Sequence, residues 1–176
     1  MSGHSKWSKI KHKKAATDAK KSAAFSKLAR LIASESKRAG GDVNSPGLRV
    51  VIEKAKKANM PNDNIDRAVK KGASADAETL EAVTYETYGP GGVAVIILGL
   101  TDSRNRSAAE IKHLLGEHGS ALAAQGSASW AFEKSAEEWT PKTLVDISDE
   151  DLEKLSALVD ALEARDDVQE VITNAA

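Results

Sequence analysis

The sequence predicts an α+β protein. A basic three-helix bundle domain over residues 1–76 precedes an acidic α+β domain over 77–176. The second domain reads as a ferredoxin-like-type antiparallel or mixed four-stranded sheet with two helices on one face. Three observations carry this. Apolar residues recur at helical spacing up to about residue 72 and then shift to strand-like alternation. The charge balance reverses at the same place: Met1–Gly72 carries 18 Lys and Arg against 6 Asp and Glu, whereas Ala73–Ala176 carries 7 against 20. Between the two patterns lies Ala73–Ala77, a small and polar linker.

The first helix spans about Asp18 to Ala39, with Phe25, Leu28 and Ile32 on one side and Gly40-Gly41 as its stop. Lys20, Lys27, Arg30, Lys37 and Arg38 fall largely on the opposite side, a basic stripe behind an apolar seam. Ser45-Pro46 caps a second helix, over about 46–58, that carries Leu48, Val51, Ile52 and Ala55. After Asn59-Met60-Pro61, a third short helix holds Ile65, Ala68 and Val69 and closes at Gly72. In the acidic half, Val83–Tyr88 alternates like a strand and Val93–Leu100 is β-rich. Gly89-Pro90-Gly91-Gly92 between them is turn chemistry and predicts a hairpin. Ser107–Glu110 reads as a capping box opening a helix with Ile111, Leu114 and Leu115. Ser127–Phe132 reads as a third strand. Ser148–Asp151 is a second capping box, ahead of a helix over 149–164, and Val168–Thr173 is the last strand.

Composition and spacing remove most chemistry. Cysteine is absent, so disulfides, thiol nucleophiles and thiolate metal sites are excluded. His113 and His118 are five residues apart, about 140° around a helix, and cannot share a metal. No GxSxG elbow surrounds a serine. The Gly89–Gly92 segment lacks the Lys-Ser/Thr that completes a P-loop. The acidic clusters do not follow EF-hand spacing. No catalytic residue, metal or cofactor is expected. The longest strongly apolar run, Val93–Leu98, is too short to cross a bilayer, and no secretory signal follows the Lys-rich start. The expectation is a soluble cytoplasmic protein without membrane contact. Nothing in the pattern resembles a dimerisation zipper, so a monomer is expected.

The opening thirty residues carry the functional signal. Lys6, Lys9, Lys11, Lys13, Lys14, Lys20, Lys21, Lys27 and Arg30 stand against Asp18 alone, with His4, Trp7 and His12 interleaved. Cations neutralise phosphates and release counterions, and an exposed aromatic can stack on an unpaired base. Nucleic acid is the partner this combination fits, RNA at least as well as DNA. If Lys11, Lys13 and Lys14 all touch phosphate, their joint loss flattens the salt slope of affinity by about two units. Arg104 and Arg106, a close cationic pair in an acidic half, and the Gly89, Pro90, Gly91 and Gly92 tip make a candidate second contact. For the arginines, capping of the following helix is the alternative role. For Trp7 it is packing on the helical bundle, with the lysine run a solvated tail.

Gly3-His-Ser-Lys-Trp7 followed by Ile10-Lys-His-Lys-Lys14 closely resembles the start of the YebC family. Asn59-Met-Pro61, Tyr88–Val93, Thr101–Arg106, His118-Gly119, Gly126-Ser127, Asp166–Gln169 and Thr173-Asn174 are similar to family blocks, in family order. The resemblance implies a helical N-terminal domain, α+β material after it, and a non-enzymatic regulator of gene expression. Family members are described as DNA-binding transcriptional regulators, as mitochondrial translational activators, and as ribosome-associated factors that relieve stalling on proline-rich sequences. Two departures follow. Ser103 stands where the family usually has Asn. Relatives insert a third α+β domain after the strand ending near Phe132, whereas here residues 133–148 form a short connection. The leading expectation is a translation factor that docks on ribosomal RNA. The competing one is a DNA-reading transcription factor, and a protein-interaction adaptor is a weaker third.

Overall fold

A computed structural model describes residues 5–15, 17–135 and 138–176. The chain forms two compact units, one of residues 15–80 and one of residues 1–14 with 81–176.

The helical unit contains α2 (Asp18–Ala39), α3 (Pro46–Lys57) and α4 (Asn62–Ala73). Thr17 caps α2 by accepting from the Lys20 N–H, and Gly40, at φ 60°, ends it in the left-handed conformation that glycine tolerates. Pro46 occupies the first turn of α3, where its missing N–H costs nothing. Ile32, Leu48, Val51, Ala55, Met60, Ile65 and Ala68 fill the core. Gly72 sets the packing of α4 on α2: a Cβ there would lie 2.1 Å from the Ala33 carbonyl oxygen. Beside it, the buried Ser36 hydroxyl donates to the Val69 carbonyl at 2.6 Å. The three helices expected over 18–72 are therefore present with nearly the expected bounds.

The α+β unit begins with α1 (Lys6–Ala15), a helix the sequence did not lead us to expect, within the stretch assigned to the N-terminal domain. Trp7, only 7% exposed, instead enters the α+β core, and its backbone N–H donates to the Ala176 carbonyl at 3.3 Å. The sheet comprises β1 (Glu81–Tyr88), β2 (Ala94–Thr101), β3 (Leu122–Ala123) and β6 (Val168–Thr173) in the order β3-β1-β2-β6, every pairing antiparallel. β1 and β2 form the predicted hairpin around the Gly89–Gly92 turn. The apolar run from Val93 is continuous because both faces of β2 are covered. Val93, Val95 and Ile97 meet α1, α5 (Arg104–Glu117) and α6 (Asp149–Glu163) through Trp7, Ile111, Leu115, Leu155 and Leu158. Ala94 and Ile96 face Ala128, Ala131 and Phe132. Thus two predicted helices lie on one face, with α1 as a third.

Two local readings change. Ser127–Phe132 is not a sheet strand: residues 129–131 form a 3-10 turn, and β4 (Phe132–Lys134) pairs with β5 (Trp139–Pro141) as a separate hairpin. The reason is Glu86, whose buried carboxylate accepts from the N–H groups of Gly126 at 2.6 Å, Ala128 at 2.9 Å and Ser129 at 2.7 Å. These donors are then lost to any ladder. Likewise α5 starts a turn earlier than expected, capped by Ser103, which accepts from Arg106 N–H, while Ser107 is buried inside the helix. Ser148 caps α6 as predicted. In the 133–148 connection, Val145 bridges to Ala175 in parallel, and the buried Asn174 amide ties the start of β2 to Thr143.

Candidate nucleic-acid interface

The helical unit presents an open groove of about 660 Å³ along α2 and α4 and the chain at 77–80. Phe25, Ala29, Met60, Ala68 and Leu80 make its floor; Arg30, Arg67, Lys71, Asn64 and Glu78 stand around it. Helical geometry explains the grouping. Ser22, Phe25, Ser26, Ala29 and Ala33 recur at three- and four-residue steps on α2, as do Asn64, Arg67, Ala68 and Lys71 on α4. Serine and alanine on the α2 face are short, and their shortness opens the space. The Arg67 guanidinium is steered along the wall by donating to Asn64 Oδ1 at 2.7 Å and to the Asp63 carbonyl at 3.4 Å. An apolar floor under guanidinium and ammonium groups suits a ligand with a flat apolar part and an anionic part. Nucleotides have both.

The predicted site residues separate. His4 lies outside the described residues. Trp7 is a core residue, which removes it as an exposed stacking group. Lys6 pairs with Asp149 at 2.9 Å, and that contact holds its ammonium above the usual lysine range. Lys14 pairs with Asp160 and Ser156, and Lys11 lies 3.4 Å from the Val171 carbonyl. Lys9, His12 and Lys13 are exposed on α1. Lys20, Lys27 and Arg30 lie on α2, and Arg30 alone of these edges the groove. Arg104 pairs with Glu81 and donates to the Ala82 carbonyl. Arg106 pairs with Asp102, which holds its guanidinium above the usual range. Both arginines are thus engaged by carboxylates at the start of α5. In the Gly89–Gly92 turn, Gly91 (φ 75°) packs on Ile147 so closely that a Cβ would meet it at 2.5 Å, while Gly92 (φ 79°) faces open space.

Sequence reasoning missed Asn64, Arg67 and Lys71, although their helical spacing was a usable signal. It also missed Glu86, for which no local signal exists, because its three donors lie some forty residues away. Among the described residues, no group of three or more His, Asp or Glu could hold a metal ion, and no helix is long and apolar enough to cross a membrane.

Comparison with known proteins finds two family matches, the first of which includes α1. Residues 5–75 match the TACO1/YebC protein N-terminal domain. Residues 80–138 and 133–175 match the TACO1/YebC second and third domain, in two stretches that overlap over 133–138. A "Probable transcriptional regulatory protein" of Fervidobacterium nodosum is 37% identical over 235 positions, covering 99% of this chain and 93% of the relative. That alignment is longer than the chain itself, so the relative carries residues without a counterpart here. A protein of the same name from Petrotoga mobilis is 46% identical over 176 positions, covering 98% of this chain and 70% of the relative. Among solved structures, a conserved hypothetical protein of Aquifex aeolicus, Aq1575, superposes with a TM-score of 0.74 at 34% identity, covering 90% of this chain and 91% of that one.

Proposed function

The chain belongs to the TACO1/YebC family, and from that premise we propose that it is a non-enzymatic regulator of gene expression that binds RNA on the ribosome. The observation that supports this reading is the α2–α4 groove: an apolar floor edged by Arg30, Arg67 and Lys71 in the unit that carries the cationic excess. Phosphates would lie against the cations, and an unpaired base would lie over Phe25 and Met60. Exposed Lys9, His12 and Lys13 on α1, in the α+β unit, would make a phosphate contact of their own. Sucrose-gradient sedimentation of a lysate tests the assignment. The protein should travel with ribosomes and be released by RNase. Migration with free protein at low salt would rule the ribosome out.

A second reading has one observation in its favour: relatives are named probable transcriptional regulatory proteins. In that case α3, with exposed Arg49, Lys54, Lys56 and Lys57, would approach duplex DNA. That helix offers cations for phosphates but no Asn or Gln to read adenine, and major-groove readers ordinarily bind as symmetric dimers. Competition between duplex DNA and single-stranded RNA for the purified protein separates the two readings.

A further inference from the structure

We propose that Tyr88 and Trp130, in the α+β unit, form a stacking platform for an unpaired base of single-stranded RNA, a second contact that rests on the RNA-binding reading above. Trp130 is 56% exposed and Tyr88 39%. A single exposed apolar side chain is ordinary, but these two are joined. The Trp130 indole N–H donates to the Tyr88 hydroxyl at 2.8 Å, and that hydroxyl donates to the Ser127 carbonyl. Glu86, two residues before Tyr88 on the same strand, fixes the backbone of the turn that bears Trp130 through Gly126, Ala128 and Ser129. Both rings are therefore held in place before any ligand arrives, which lowers the ordering cost of binding.

The polar atoms of the pair are spent on each other and on the backbone. What remains for a ligand is π surface, which accepts any base and reads none. The β4–β5 hairpin brings a cationic residue next to this turn: the backbone N–H of exposed Lys142 donates to the Ala131 carbonyl at 2.8 Å, and Ala131 follows Trp130 in the chain. Tyr88 also leads straight into the glycine turn, where Gly92 leaves room for a nucleotide backbone to pass.

The test uses the full chain with a labelled oligouridylate and an RNA duplex of equal length. Trp130→Ala should weaken oligouridylate binding about tenfold. The slope of log affinity against log salt should stay as it was, because no phosphate contact is lost. Trp130→Phe should retain most affinity, and Tyr88→Phe, which keeps the ring but cuts its hydrogen bonds, should lose less than Trp130→Ala. Duplex binding should not change. Unaltered oligouridylate binding by Trp130→Ala, while Arg67→Ala/Lys71→Ala still weakens it, would overturn the platform and leave the groove standing. Wild-type protein that binds neither RNA would overturn the RNA-binding reading itself. Normal oligouridylate binding by a Trp130→Ala protein that no longer sediments with ribosomes would assign the rings to a protein partner and also overturn the stacking proposal.

Discussion

Glu86 shows how much one side chain decides. Burial pushes its carboxyl pKa up, but the N–H groups of Gly126, Ala128 and Ser129, together with the Ser129 hydroxyl, more than offset this and hold it below the usual carboxylate range. Its folded value is therefore lower than its unfolded one, about 4.3. Its contribution to stability is complete above that unfolded value and is lost as pH falls through the folded one. Trp7, Trp130 and Trp139 are the chain's three tryptophans and all lie in the α+β unit, so their fluorescence reports that unit's unfolding. Glu86→Gln should lower its stability near neutral pH by about 2 kcal/mol. The variant should also lose less than wild type on acidification from pH 5 downwards. Parallel acid profiles for the two proteins would show that Glu86 does not carry this dependence. Among the cations, Arg67 and Lys71 are the pair to remove. Replacing both by Ala should reduce the salt slope of RNA affinity by roughly 1.5 units if each touches a phosphate. An unchanged slope would exclude the groove rim as a phosphate contact.

Among the elements, α1 and the α2–α4 contact are held by different interactions. Trp7 anchors α1 in the α+β core, so Trp7→Ala should cost about 3–5 kcal/mol, read by denaturation of that unit with Trp139 fluorescence. The lysines of α1 add exposed or half-exposed ion pairs to Asp149 and Asp160, which contribute little beside that burial. Because Lys14 is so engaged, replacing Lys11, Lys13 and Lys14 together should flatten the salt slope by less than two units. Gly72 is the corresponding point in the other unit. A methyl group there meets backbone that cannot yield cheaply, so Gly72→Ala should destabilise the helical unit by about 1–3 kcal/mol. Far-UV circular dichroism should register this as an earlier loss of helix while the tryptophan transition stays in place. Coincident shifts of both signals would mean that the two units unfold as one.

For the whole molecule, the division into units sets what a fragment can do. Residues 15–80 hold a complete helical core and should fold alone. Residues 81–176 without α1 would lose Trp7 from their core, and should be less stable than the same fragment with α1 restored. Equal stability of the two would show that α1 is an accessory. The short 133–148 connection closes through the β4–β5 hairpin and the Val145–Ala175 bridge, so the sheet is complete without an inserted domain. Expressed in a strain that lacks a full-length relative, this chain should therefore still sediment with ribosomes but rescue growth only in part. Full rescue would mean that the residues a relative carries without a counterpart here are dispensable for that function.

Local pattern determined much of this protein. Helical spacing, Ser45-Pro46 and Gly40-Gly41 define α2 and α3, the Gly89–Gly92 segment defines the β1–β2 hairpin, and Ser148 starts α6, because caps and turns act through neighbours in the chain. Family membership was legible in the same way, from short blocks in order. Tertiary structure decided the rest. Trp7 and its lysines read as an exposed nucleic-acid contact, since residue types alone cannot say that this stretch forms a helix or which core it will enter. Ser127–Phe132 read as a strand because β-propensity ignores a carboxylate forty residues earlier that claims its N–H groups. The groove rim and the Tyr88–Trp130 pair were unreadable for one reason. Arg30 comes to line the same groove as Arg67, and Tyr88 meets Trp130, only after folding brings distant segments together, and sequence spacing carries no information on such arrangements.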